Sequence, residues 1–296
     1  MKPIRLAILL GSIVYYSIGA KAQVINSELY QFNYLTLNPA FAGKDGQSFS
    51  LLAKTIKYPS FNFSEGLLLY ETNFDKFNSG FAFTGSSITL GAVSETSLGL
   101  SYSYSIRLSK SSKIVIGSRI ANNWMNVDFG FYSNIDPTDP IFDPDKNESI
   151  SNFTFSPGVL AEFGNFYVSI SIENLLSTND YKIGNVLIEG YDLYNVVVGY
   201  SFKAKDWGDF RHSVFVPLLN GELNRVDLNS VVVIRKKFIT GVAFEISDEE
   251  ILPKVNIGFR VKDFMEIVTM VYSQRREFYS NSNFSGSLSV RFFFQN

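Results

Sequence analysis

The sequence predicts an all-β fold, a transmembrane up-and-down antiparallel β-barrel of roughly fourteen strands preceded by a cleaved signal peptide. Three observations predict it. The chain begins with a secretory leader, and apolar and polar residues then alternate with a period of two. No stretch after the leader contains the ~20 apolar residues that a membrane-spanning helix needs. The composition, 46% hydrophobic and 16% aromatic with 18% charged residues, agrees with strands that face lipid.

Residues 1–22 form the predicted signal peptide. Lys2 and Arg5 supply its basic start, an apolar run follows over residues 6–18, and Ala20-Lys21-Ala22 fits the small-x-small cleavage pattern. The apolar run is shorter than a spanning helix, so an uncleaved N-terminal anchor is the less favoured alternative. The mature chain is therefore expected to begin near Gln23 and to leave the cytoplasm.

The clearest alternation lies in residues 98–108. Because successive side chains of a strand face opposite sides, this segment has one apolar side and one small or polar side. The apolar side carries Leu98, Leu100, Tyr102, Tyr104, Ile106 and Leu108, and the other carries Gly99, Ser101, Ser103, Ser105 and Arg107. Residues 166–173, 194–203, 255–262 and 287–294 repeat the pattern.

The alternating runs predict fourteen strands, an even number as in single-chain bacterial barrels. Many of them last ~9–11 residues, the length that a tilted strand needs to cross a bilayer. Aromatic residues such as Tyr70, Trp124, Tyr200 and Phe294 lie near strand ends, where interfacial girdles are expected. A soluble β-sandwich or a periplasmic solenoid is the alternative, but its apolar sides would face inward. The predicted strands are 48–57, 62–71, 78–87, 95–107, 112–124, 153–164, 166–174, 193–204, 210–218, 227–236, 238–246, 254–263, 265–275 and 284–294.

The connections predict the orientation of the barrel. Turns after even-numbered strands are short, whereas the two longest loops, 125–152 and 175–192, follow odd-numbered strands. Bacterial barrels have short periplasmic turns and longer outer loops, so the first strand is expected to start from the periplasm. The mature chain divides into an N-terminal extension, residues 23–47, and a barrel, residues 48–296.

Composition excludes several classes of function. The formal net charge of −2 disfavours a nucleic-acid binder that neutralises phosphates. The absence of cysteine excludes disulfides, thiolate metal sites and thiol catalysis. The chain has one histidine, His212, and no G-x-S-x-G motif, so His212 is expected to be a surface or lumen residue and the protein is not expected to be an enzyme. No cofactor is implied.

Two groups of charged residues remain as candidates for contacts. The outer loop after the fifth strand contains Asp136, Asp139, Asp143 and Asp145, interspersed with prolines. It lacks EF-hand spacing, so a solvated or partner-contacting loop is favoured over a calcium site. The second group faces the predicted lumen and permits either a charged pore wall or a plugged lumen with internal ion pairs; it comprises Arg107, Arg119, Glu162, Glu173, Arg260 and Arg291.

The most specific motif follows the leader and runs from Tyr30 to Gly43, Tyr-Gln-Phe-Asn-Tyr-Leu-Thr-Leu-Asn-Pro-Ala-Phe-Ala-Gly. Asn-Pro favours a turn and Gly43 permits backbone conformations barred to other residues, so the block is expected to form a fixed bend before the first strand. The motif resembles the opening signature of the PorP/SprF family of Bacteroidota. The signature block, which the resemblance makes a candidate partner-binding site, is Asn38, Pro39, Ala40, Phe41, Ala42 and Gly43.

Other segments extend the resemblance. Residues 152–176 are similar to a mid-chain hairpin that ends in an Asn-Leu-Leu motif, and Gly199-Tyr200 is similar to a Gly-Tyr strand. Lys57-Tyr58-Pro59 stands where many members carry a Gln-Trp pair, which bears on the subfamily and the partner.

The resemblance implies an outer-membrane protein of the type IX secretion or gliding motility apparatus. Such a protein would be non-enzymatic and would assist secretion or surface attachment of an adhesin or cargo protein. Its partners would be outer-membrane lipid, the secreted protein and periplasmic components of the secretion motor, with no nucleic acid. The alternative is an outer-membrane pore or hydrophobic-ligand channel.

Overall fold

The computed structural model describes residues 29–57, 62–128, 147–177, 181–183, 186–188, 193–205, 207–223, 225–247, 250–273 and 284–294. Fourteen long antiparallel strands form one sheet. They are Gln47–Lys57 (β1), Asn62–Phe74 (β2), Ser79–Leu90 (β3), Val93–Arg107 (β4), Ser112–Asp128 (β5), Asn147–Phe163 (β6), Phe166–Glu173 (β7), Leu193–Ala204 (β8), Gly208–Leu219 (β9), Val226–Ile234 (β10), Phe238–Ile246 (β11), Ile251–Val261 (β12), Met265–Ser273 (β13) and Phe284–Phe294 (β14).

The sheet closes into a barrel. Each long strand pairs with its neighbours in sequence, and β14 returns to pair with β1 from Gln47 opposite Phe294 to Thr55 opposite Gly286. Closure leaves no edge strand, which is the condition for a sheet to cross lipid. The predicted number of strands and the up-and-down topology are confirmed.

The polarity of the barrel is inverted relative to a soluble domain. In β4 the leucine and tyrosine side chains of the apolar face are exposed; Leu100, for example, is 44% exposed. The alternate residues Ser101 and Ser103 are buried in the lumen. The alternation of sequence therefore places the apolar side outward, toward the membrane, and the soluble sandwich is excluded.

The short and long connections separate to opposite ends, as predicted. At one end, called the turn end, short turns follow the even-numbered strands; Gly164 and Asn165 alone join β6 to β7. At the other end, the loop end, β5 ends at Asp128 and β6 begins at Asn147, and β7 ends at Glu173 and β8 begins at Leu193. The tight connection of Gly91 and Ala92 between β3 and β4 departs from this pattern, because both strands are longer than predicted.

Shorter elements complete the description. Two-residue strands Leu176–Ser177 and Glu222–Leu223 pair with β6 and β9, while Tyr181–Ile183 pairs with Val186–Ile188. The helical elements among the described residues are the 3₁₀ turns Tyr30–Phe32, Tyr34–Thr36, Pro39–Phe41 and Asp75–Phe77. No helix in the described part of the chain is long and apolar enough to cross a membrane.

The main buried cluster lies inside the barrel. The N-terminal segment, residues 29–46, does not extend away from β1 but folds back into the lumen. Its buried Leu29, Leu35 and Phe41 pack with lumen-facing residues such as Phe215 and Met270. The tertiary structure thus gives the barrel an internal core that period-two alternation did not indicate.

Candidate functional site

The signature block forms the bend that its sequence predicts. The Asn38 side chain accepts a hydrogen bond from the Ala40 amide, with 2.8 Å between Oδ1 and N, and thereby caps the 3₁₀ turn Pro39–Phe41. Proline suits the first position of such a turn because it has no N–H to leave unpaired. Gly43 follows with a φ of 70°, a conformation that favours glycine. The block therefore reverses the chain between the lumen and β1.

Glycines of the barrel wall make room for this bend. A Cβ atom at Gly117 of β5 would collide with the backbone of Pro39 and Ala40, and one at Gly158 of β6 would collide with the Asn38 side chain. A Cβ at Gly80 of β3 would strike the carbonyl of Ala42. The wall thus has notches along β3, β5 and β6 that the signature fills by direct backbone contact.

Asn38 also joins the bend to the wall. Its Nδ2 donates to the carbonyl oxygens of Val159 in β6 and Ile170 in β7, at 3.2 and 3.1 Å. These two residues face each other in the register of the strand pair. The side chain is fully buried, so its bonds to both the bend and the barrel fix the segment at one position.

Further polar side chains of the wall bind backbone carbonyls of the segment. Ser171 and Asn195 both donate to the Leu37 carbonyl, at 2.6 and 3.1 Å. Arg119 donates to the Leu35 carbonyl, and Ser103 donates to that of Ala42. Buried backbone oxygens without partners are costly, so these donors satisfy an irregular segment that has no sheet of its own.

Aromatic rings fill the space between the segment and the opposite wall. The ring of Tyr30 packs on Phe215 of β9, with centroids 4.7 Å apart. Tyr34 stacks on Phe41 within the segment at 5.1 Å and donates its hydroxyl hydrogen to Ser213. Burial raises the pKa of Tyr30 well above its ordinary value, so this phenol stays neutral.

Ion pairs hold the end of the segment that leads into β1. Arg291 of β14 lies 2.9 Å from Asp45 and also pairs with Glu71 of β2. Desolvation raises the pKa of Asp45, but the guanidinium of Arg291 outweighs it and holds that pKa below its usual range. Asp45 is therefore ionised at neutral pH. Lys44 pairs with Glu162 of β6 in the same region.

These contacts decide between the two predicted states of the lumen. The segment contacts the walls of β2 to β10 and of β14, and it bridges strands on opposite sides of the barrel. Lumen charges find partners: Arg260 bonds Glu266, Glu173 accepts from Asn195, and Arg291 bonds the residues named above. The described lumen is that of a plugged barrel with internal ion pairs.

The structure gives a different result for each group of residues that the sequence singled out. All six signature residues are buried inside the barrel, so their contact with a partner stays a prediction. Asp136, Asp139, Asp143 and Asp145 lie outside the described residues. His212 faces outward and stacks with Phe202 at a centroid distance of 6.1 Å, away from the lumen. In the described part of the chain, no three His, Cys, Asp or Glu side chains cluster to hold a metal ion.

Sequence inspection missed the glycine notches and the pairing of Arg291 with Glu71. The notches could have been recognised in the sequence, because Gly80, Gly117 and Gly158 all fall on the lumen side of their strands. Small residues were recognised on the inner faces, but only the folded segment shows what they accommodate.

Closed antiparallel strands with an apolar outer face define the class: an outer-membrane β-barrel. Solved structures share this fold. The monoaromatic hydrocarbon channel CymD is similar over 95% of this chain and 96% of its own, with a TM-score of 0.52 and 9% identity. Omp33 of Acinetobacter baumannii is similar over 84% of this chain and 98% of its own, with a TM-score of 0.50 and 8% identity. At these identities the likeness concerns the fold.

The chain belongs to the PorP/SprF family, the type IX secretion system membrane proteins PorP/SprF, whose model matches residues 19–292. The family resemblance of the signature is thereby confirmed, and with it the outer-membrane location and the association with type IX secretion. No curated protein sequence matches the chain. The family and the fold are those of secretion and porin-type outer-membrane proteins, which are generally non-enzymatic.

Proposed function

We propose that this protein is a non-enzymatic component of the type IX secretion or gliding apparatus that assists secretion or surface attachment of a partner adhesin or cargo protein. Membership of the PorP/SprF family supports the system in which it acts. The observation that carries the proposal is the occupied lumen. A barrel whose centre is packed with its own residues 29–46 is suited to presenting surfaces rather than to passing solutes.

The barrel offers partners two surfaces. At the loop end, we propose that the acidic loop with Asp136, Asp139, Asp143 and Asp145 contacts the secreted protein. At the turn end, we propose that the turns contact periplasmic components of the secretion motor. The signature block can meet a partner only through the lumen, because its residues are buried.

The alternative, a passive pore or hydrophobic-ligand channel, receives less support. Fold similarity to CymD concerns architecture, and the contacts of Tyr30, Tyr34 and Phe41 occupy the interior that a solute would need. A channel predicts stepwise currents in planar bilayers from the complete mature protein, whereas the proposed role predicts none.

A deletion strain tests the proposal. Loss of this gene is expected to abolish surface display of its cognate adhesin, which we expect to be encoded in an adjacent reading frame. Immunolabelling of intact cells measures display, and whole-cell immunoblotting separates loss of display from loss of synthesis. Intact display in the deletion strain would contradict the role.

Complementation locates the contact. Wild-type protein should restore display, whereas the quadruple variant D136N/D139N/D143N/D145N should restore less while reaching the outer membrane at the same level. A control variant, D248N/E249Q, removes two carboxylates from the connection between β11 and β12 and should restore display fully.

A further inference from the structure

The turn end of the barrel has an uneven distribution of residues with positive φ. Among the described residues, the turns of β2–β3 and β6–β7 use Asn78 and Gly164 at such positions. On the other half of the rim, between β8 and β13, lysine and arginine residues adopt the same conformation. These are Lys205, Arg235, Lys236 and Lys262, with φ between 44° and 57°.

Lysine and arginine are poor choices for this conformation. The turn between β10 and β11 is closed by a bond from the Lys237 amide to the Ile234 carbonyl, and Arg235 and Lys236 are its two central residues. Positive φ at both central positions defines a type I′ turn, for which Asn-Gly is the favoured pair. The chain therefore tolerates local strain to keep two charges there, and strain retained at a surface points to a function.

The cations of neighbouring turns form one cluster. The amide of Arg235 donates to the carbonyl of Trp207, at 2.9 Å, and joins the β10–β11 turn to the β8–β9 turn that contains Lys205. Lys205, Arg235, Lys236 and Lys237 are all exposed. Four positive side chains thus project from two hydrogen-bonded turns, and we call them the basic cluster.

A stack of rings lies directly beside the basic cluster on the membrane-facing surface. Trp207 stacks on Phe210, with centroids 5.3 Å apart, and Phe210 stacks on Phe202 at 4.7 Å and an interplanar angle of 5°. Phe238, which follows the basic cluster in sequence, is 64% exposed. Among these rings the indole of Trp207 is amphipathic, and such a ring marks the level where acyl chains meet headgroups.

We propose that the basic cluster and the ring stack together bind the headgroup of an anionic phospholipid in the leaflet at the turn end. The rings would contact the glycerol and upper acyl region, and the ammonium and guanidinium groups would contact the phosphate. A lipid fits better than an acidic protein, because the rings beside the cations face the membrane. Phosphate is matched by Arg and Lys through charge-assisted hydrogen bonds.

The preferred sequence of a type I′ turn suggests a variant that removes charge without disturbing the fold. R235N/K236G removes two charges and installs the pair that a type I′ turn favours, so it should fold at least as well as the wild type. The control K76N/K110N removes two exposed lysines from the β2–β3 and β4–β5 turns, on the half of the rim that lacks the stack. Both variants change net charge equally.

Binding is measured in detergent on full-length protein carrying W124F, so that Trp207 is the sole tryptophan and is excited at the red edge of its absorption, where tyrosine does not absorb. Dioctanoyl-phosphatidylglycerol is titrated, with dioctanoyl-phosphatidylcholine as the neutral probe. Because each cation near an anionic surface contributes about fivefold, R235N/K236G should weaken phosphatidylglycerol binding at least about tenfold. K76N/K110N should stay within about twofold of the parent.

Two results would overturn the proposal. Equal affinity of the parent and R235N/K236G would show that the basic cluster binds no lipid and would leave an acidic protein as its occupant. Equal weakening by K76N/K110N would show attraction by net charge alone. Selective weakening, with phosphatidylcholine binding unchanged, supports the site, and it does not depend on whether the adhesin role is correct.

Discussion

Single glycines decide whether the signature can enter the barrel. Gly117 and Gly158 are notches into which Asn38, Pro39 and Ala40 fit, and each would place a side-chain atom inside its neighbour if substituted. Asn38 adds specificity, because its carboxamide caps the bend on one side and bonds both β6 and β7 on the other. The signature bend and the glycine notches of the barrel wall therefore fit each other.

Gly117→Ala is expected to loosen the N-terminal segment. The added methyl group would overlap Pro39 and Ala40, and overpacking of this kind costs about 1–3 kcal/mol. Hydrogen exchange followed by mass spectrometry should show faster exchange in residues 29–42, with the strands unaffected. Gly66→Ala is the matched control, because its Cβ would meet nothing within 4 Å. Equal exchange in both variants would contradict the notch interpretation.

At the scale of elements, the N-terminal segment has no long helix or strand, and hydrogen bonds from side chains of the barrel wall satisfy its backbone carbonyls. Its 3₁₀ turns are each three residues long and leave carbonyls that the wall satisfies through Arg119, Ser171 and Asn195. The wall and the segment thus depend on each other: removal of the segment would leave a lumen lined by polar groups, which water can enter.

A variant that lacks residues 29–42 is expected to conduct. Deletion removes the rings of Tyr30, Tyr34 and Phe41 while β1 and its pairing with β14 remain. In planar bilayers the variant should give stepwise currents and the wild type should give none. Circular dichroism of the same preparation must show native strand content, which separates an open barrel from a misfolded one. A silent, folded variant would indicate that other residues close the lumen.

The barrel as a whole has apolar side chains outside and polar side chains inside, the reverse of a soluble domain. Apolar side chains at the exposed positions of β4 face lipid, while the interior holds serines, paired charges and the N-terminal segment. Such a molecule is stable because the bilayer removes its outer surface from water and closure pairs every strand. Its charged residues can occupy the lumen because they find partners there.

Leu100→Arg is expected to impair assembly into the membrane. Leu100 lies in the middle of β4 on the outer face, and an arginine near the bilayer midplane costs about 2–4 kcal/mol. The folded fraction in lipid vesicles, measured by heat-modifiable electrophoretic mobility during urea titration, should fall. Leu100→Phe keeps an apolar side chain and should fold like the wild type. An unaffected Leu100→Arg would contradict contact between this face and lipid.

Local sequence patterns were sufficient to predict the strands, their number and their outward face, because period-two alternation is a local property and lipid imposes it on each strand alike. The sequence also identified the family, since the signature is a contiguous motif. The position of this motif inside the barrel became clear from the folded chain, because the notches that receive it are formed by Gly80, Gly117 and Gly158 on three different strands. The pairing of Arg291 with Asp45 and Glu71 likewise requires closure of β14 on β1, which no local pattern records.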